Sequence, residues 1–107
     1  MSFLKSFAIF FFDVLDFYHQ RKILKFIKNI KIEIKNIVDV GCHKGKYFDL
    51  FYNNLNINKA VLIEPQREYF KYLKLKYKNK KKIKIFNYAI SNVKGQSYFY
   101  IHPHDLT

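Results

Sequence analysis

The run Ile37-Val38-Asp39-Val40-Gly41-Cys42-His43-Lys44-Gly45-Lys46-Tyr47 constrains this chain more than any other stretch. β-Branched apolar residues stop at an acid and a glycine, and a second glycine follows four positions on. Apolar residues at helical spacing then begin, with Tyr47, Phe48, Phe51 and Leu55. The pattern predicts a strand buried on both faces over 34–40, a tight loop, and a helix from Gly45 to about Leu55. Glycine opens backbone conformations closed to other residues and lets a ligand approach the chain closely. The start of a helix adds unpaired N–H groups and partial positive charge, which suit anionic groups. A plain strand–turn–helix corner produces the same pattern.

A second element narrows the choice. Ala60-Val61-Leu62-Ile63-Glu64 is another short apolar run ending in an acid, 23 positions after Gly41. An acid at that distance, at the tip of the next strand, is placed to accept hydrogen bonds from ribose hydroxyls. Glu64 also suits the start of the following helix, with Pro65 at the favoured first position, and the two roles are compatible. Two acids and two glycines in this order predict a nucleotide-binding βαβ unit. The dinucleotide fingerprint G-x-G-x-x-G is missing, which argues against NAD.

At 107 residues the chain forms one domain at most, and with half its residues apolar it has ample material for a core. The net charge of +12 invites a nucleic-acid reading. Only Arg21 and Arg67 of the 20 basic residues are arginine, whereas phosphate and base recognition favours the arginine fork. Lys, Ile, Asn, Phe and Tyr all use A/T-rich codons, so genome base composition accounts for much of the lysine excess. Specific nucleic-acid binding is therefore not expected. Cys42 is the single cysteine, which excludes an intramolecular disulfide and permits a reducing compartment.

Residues 1–31 form a segment of their own. Phe3, Leu4, Phe7, Phe10, Phe11, Val14, Leu15, Phe17 and Tyr18 recur at helical steps, predicting an amphipathic helix. A second helical stretch sets Ile23, Leu24, Phe26, Ile27 and Ile30 against Lys22, Lys25, Lys28 and Lys31. The longest apolar run, Phe7 to Phe12, is far short of the roughly 20 residues a bilayer span needs. Two readings stand: a helix packed on the domain, or an interfacial helix whose lysines meet anionic lipid. Beyond the second strand, Tyr69, Phe70, Leu73 and Tyr77 mark a helix. A third strand is expected over 83–90 and a further one over 97–101. His102 and His104 flank Pro103 without a third metal ligand, so they read as a solvated tail and no metal is expected.

Three blocks in order resemble one family, the FkbM-type class I S-adenosylmethionine (SAM) methyltransferases, over about residues 34 to 104. The run from Ile37 to Tyr47 is similar to their "DVGAN-x-G-x-Y" opening, with Cys42-His43 where Ala-Asn is common. Val61 to Pro65 is similar to their "EP" block, and Asn87-Tyr88-Ala89-Ile90-Ser91 with Gly95 and Phe99 to their Ala–Ser–Gly–Phe block. The resemblance implies a Rossmann-like α/β fold with a parallel βαβαβ sheet plus an extra strand, over 32–107. It implies methyl transfer from SAM, often to a hydroxyl of a sugar or small metabolite. Asp39, Gly41 and Gly45 would shape the methionine pocket, with Cys42 and His43 offering backbone N–H groups. Glu64 would bind the ribose, and Asn87 and Ala89 would border the adenine. No catalytic residue is carried over.

Family members continue into further strands with an Asp and a Glu-Gly block, which nothing before Thr107 resembles. The expectation is the cofactor-binding half of such an enzyme in a cytoplasmic location, with one sheet face and one strand edge exposed and prone to self-association. The competing expectation is a non-catalytic Rossmann-like interaction module whose N-terminal helix docks on a membrane or partner.

Overall fold

The computed structural model describes residues 2–98 and 100, with the side chain of Ser2 left out. The expected histidine tail, Phe99 and Ile101 lie outside the described residues. Six elements follow one another: α1 (Ser2–Asn29), β1 (Asn36–Val40), α2 (Lys46–Asn54), β2 (Lys59–Ile63), α3 (Arg67–Lys76) and β3 (Ile83–Phe86). The strands form one parallel sheet in the order β1-β2-β3. Asn36 pairs with Lys59 and Ala60 with Ile83. This is the predicted βαβαβ pattern, preceded by helix. The third strand is shorter than expected, ending at Phe86, and residues 97, 98 and 100 form no strand.

Among the described residues the sheet is covered on one face only. Register places Ile37 beside Ala60 and Asp39 beside Leu62, and neighbouring residues in a parallel ladder point to the same side. That side meets the helices: Ala60, Leu62 and Ile83 join Phe48 of α2 and Leu73 and Tyr77 at the end of α3 in one buried cluster. Right-handed crossovers that advance steadily across a sheet put successive helices on a single face, which accounts for the arrangement. The other side carries Val38, Val40 and Phe86, all exposed. The expectation that β1 is buried on both faces is therefore corrected. It is an edge strand among the described residues, and its β-branched composition would look the same with or without an outer neighbour. The expected bare face and open edge are present.

The two helical stretches expected over 1–31 are one continuous helix. It rests on α2, with Asp16 bonded to that helix; Gln20, Ile23 and Leu24 are half-buried, and Ile27 is nearly inaccessible at 4% exposure. Asp16 is the fastening: the Lys46 ammonium and the Tyr47 hydroxyl both donate to its carboxylate, and Gln20 joins at 3.3 Å. Lys46 first, then Tyr47, hold the Asp16 pKa below its ordinary value of 3.8. A lowered carboxyl pKa stabilises docking above the unfolded value and withdraws that support as pH falls through the folded one. Asp16→Asn is thus expected to release α1 at neutral pH, raising hydrogen exchange over residues 23–29 severalfold. Wild-type exchange should rise in the same segment only on acidification below the ordinary carboxyl range. Unchanged exchange in the variant would remove Asp16 from this role.

Candidate functional site

Of the predicted site residues, Asp39, Gly41, Cys42, His43, Gly45, Glu64 and Asn87 converge at the carboxyl ends of the strands. β1 runs into the glycine loop at Gly41, whose N–H donates to Ile63 O at 2.7 Å and prolongs the β1–β2 ladder. Gly41, His43 and Gly45 all have positive φ, at 75°, 50° and 77°. Alternating left-handed residues fold the loop back on itself, and Gly45 N closes it on Cys42 O at 2.8 Å. Gly45 then serves as N-cap of α2, its carbonyl accepting the first helical bond from Asp49 N at 2.9 Å.

The two glycines are required for different reasons. A Cβ at Gly45 would collide with the Tyr77 hydroxyl and press on Leu73 Cδ2 at 3.3 Å. A Cβ at Gly41 would meet nothing within 4 Å. Gly45 lets α2 lie against the end of α3, whereas Gly41 leaves open space above the loop. The α3 contact is held by a polar cluster that sequence reasoning missed. Tyr77 donates to Asp49 Oδ1 at 2.6 Å, and the Lys76 ammonium bridges Asp49 Oδ2 at 2.6 Å and Lys44 O at 2.8 Å. Burial, then the Asp49 carboxylate, pushes the Tyr77 pKa well above the ordinary phenol value. An acid in the first turn of a predicted helix was the available signal for Asp49; Tyr77 read only as one of the residues that mark a helix.

Glu64 is the charged residue at the centre of the site, only 1% exposed. Its Oε2 accepts the His43 N–H of the glycine loop at 2.8 Å, and its Oε1 the Gln66 N–H at 3.1 Å. Glu64 N in turn donates to Phe86 O at 3.0 Å, tying in the end of β3. A carboxylate has about four acceptor positions, so two bonds leave capacity for hydroxyl donors. Asn87 lies beside it, its amide donating to the carbonyls of Glu64 and Pro65, both at 2.9 Å. Ala89 is exposed beyond it and makes no bond to this group. The Gln66 carboxamide oxygen, which sequence reasoning did not single out, is buried without a hydrogen-bond partner among the described residues. A buried acceptor without a donor is costly unless a ligand or water supplies one.

Asp39 completes the acidic pair. Burial first, then the charge of Glu64, raises its carboxyl pKa, with His43 opposing. Asp39 also lines an open groove of about 410 Å³ between the free edge of β1 and α2, with Tyr47 and Phe51. The Cys42 thiol is pushed up to about 12 from an ordinary 9.0, by burial and then by Asp39 and Glu64. It remains protonated at neutral pH, which fits a small loop residue and not a nucleophile. Iodoacetamide should therefore alkylate folded Cys42 at least about thirtyfold more slowly than free cysteine at neutral pH, the smaller thiolate fraction being partly offset by the greater nucleophilicity of a high-pKa thiolate. A rate near that of free cysteine would contradict the placement.

No protein-family model matches the sequence, and no curated protein does. Solved structures match in fold. One is the complex between the Haloferax volcanii Trm112 methyltransferase activator and a protein described as a methyltransferase, with a TM-score of 0.50 and 14% identity over 64% of this chain. The chain spans 30% of that chain's length. A likeness at this identity bears on fold alone: the chain has a Rossmann-like α/β arrangement.

Proposed function

We propose that this chain carries the cofactor-binding half of a SAM-dependent methyltransferase of FkbM type, acting on a hydroxyl of a sugar or small metabolite. The observation that carries the reading is the bond from the His43 amide to the buried Glu64 carboxylate. It draws the glycine loop, both strand-end acids and the open space at Gly41 together at the carboxyl edge of a parallel sheet, where ligands bind in open α/β folds. Asp39 and the loop amides would hold the methionine end, Glu64 the ribose, and Asn87 and Ala89 would border the adenine. The buried Gln66 oxygen offers an acceptor to a donor of the cofactor. Bound SAM supplies an activated methyl group, and this chain's share of the work is to bind and orient it.

Calorimetric titration with SAM tests the reading, and Gly41→Ala sharpens it. The added methyl meets no protein atom, so its folding cost is the left-handed backbone alone, about 1–2 kcal/mol. It would project into the space assigned to the cofactor, and SAM affinity should fall by tenfold or more. Equal SAM affinity in the two proteins would refute the placement at Gly41, and absence of binding to the wild type would refute the function. A second reading, a non-catalytic interaction module, draws on the uncovered Val38 and Val40 face. It takes the lead if SAM does not bind.

A further inference from the structure

The two halves of α1 carry opposite polarity on the same faces. Asp16, Gln20, Ile23, Leu24 and Ile27, all partly or fully buried, form one stripe at three- and four-residue steps, and Asp16 of that stripe is bonded to α2. Followed toward the N-terminus, that stripe continues through Asp13, Ile9 and Lys5. The opposite, outward face runs Leu4, Phe11, Tyr18, Lys25 at seven-residue steps, with Phe7, Val14, Arg21, Lys28 beside it. It is therefore aromatic and aliphatic as far as Tyr18 and basic from Arg21. Phe7, Phe10, Phe11 and Tyr18 are each more than half exposed. The two surfaces are continuous: the Arg21 guanidinium lies 5.2 Å from the Phe17 ring centroid, and the Lys22 ammonium 4.6 Å from that of Tyr18. Both acids of the helix, Asp13 and Asp16, sit on the inward stripe, leaving the outward face without negative charge.

We infer that the outward face of α1 docks on an anionic lipid surface, its aromatic half entering the interface and Arg21, Lys22, Lys25 and Lys28 meeting the phosphates. Among the described residues no helix is long and apolar enough to cross a membrane, so the helix lies along the surface. Aromatic side chains sink into the headgroup–acyl boundary while long basic stems keep their charges at the headgroups. A second copy fits this face poorly. Parallel pairing sets lysine against lysine, antiparallel pairing buries lysines against rings, and each chain carries +12.

Vesicles of equimolar phosphatidylcholine and phosphatidylserine, against phosphatidylcholine alone, test the proposal with the full chain carrying Phe11→Trp as reporter. Its emission should shift to the blue and be quenched by brominated acyl chains on the anionic vesicles only. A Phe86→Trp control, on the bare face of the sheet, should stay unquenched. Replacing Arg21, Lys22, Lys25 and Lys28 by glutamine should lower partitioning by two to three orders of magnitude, because each basic side chain near an anionic surface is worth about fivefold. Phe7→Ser with Phe10→Ser should abolish quenching while ellipticity without lipid stays unchanged, since both rings are exposed. Adsorption without quenching of Phe11→Trp overturns the proposal, showing only attraction of a cationic chain. A dimer that hides the reporter and ignores vesicles overturns it in favour of a second copy.

Discussion

Gly45→Ala is expected to destabilise the chain by about 4 kcal/mol, from contributions that each have a physical source. A left-handed backbone costs an alanine about 1–2 kcal/mol. The new methyl collides with the Tyr77 hydroxyl and presses on Leu73, and overpacking a filled core costs about 1–3 kcal/mol. Moving Tyr77 aside also strains its bond to Asp49, a charge-assisted bond worth about 1.5–3 kcal/mol. Such a loss is a large part of the roughly 5–15 kcal/mol that holds a domain together. Urea denaturation followed by ellipticity measures it. Tyr77→Phe removes the colliding oxygen, so in that background Gly45→Ala should cost only about 1–2 kcal/mol, largely the backbone term. Additive effects of the two substitutions would show that the hydroxyl contact is not the cause.

Glu64→Gln should cost about 2–3 kcal/mol although it changes one atom. Both carboxylate oxygens accept from backbone N–H groups, so an amide nitrogen at either place meets a donor with a donor and discards the charge. Released from its tether, His43 would no longer be held in its left-handed conformation, and its amide and that of Gln66 should exchange faster. SAM affinity should fall at least tenfold under the proposed function, for two separable reasons. A cofactor analogue lacking the ribose hydroxyls tells them apart. A larger loss for SAM than for the analogue identifies a ribose contact, and equal losses leave Glu64 as a loop tether alone.

The strand–loop–helix run at Ile37–Tyr47 and the acid at Glu64 were readable from spacing because glycine and acid positions there answer to the backbone itself. What was not readable depends on neighbours distant in sequence. Ile37, Val38 and Val40 have one β-branched signature whether or not a strand lies outside them, so burial of β1 was overestimated. Asn87 looks like a strand residue, yet its amide is spent on the carbonyls of Glu64 and Pro65, and β3 stops before it. The helical periodicity of α1 was plain. That one helix inverts its polarity near Tyr18 became visible only once the side resting on α2 was known. The tether from Glu64 to His43 pairs residues 21 positions apart, and no local pattern announces it.

The register of the sheet has a consequence for how the chain is made. Asn36 pairs with Lys59 and Ala60 with Ile83, and each strand finds its partner in the one made just before it. A nascent chain leaving the ribosome can therefore close β1–α2–β2 before α3 exists, and add α3–β3 to a finished template. The glycine loop is complete at that first stage, but the lock on it arrives in two steps: Glu64 immediately after β2, then Tyr77 a helix later. Between them the loop is tethered at one end only, and a stall in synthesis at that point would leave Phe48 without the ring of Tyr77 that packs against it, 5.6 Å away in the finished fold.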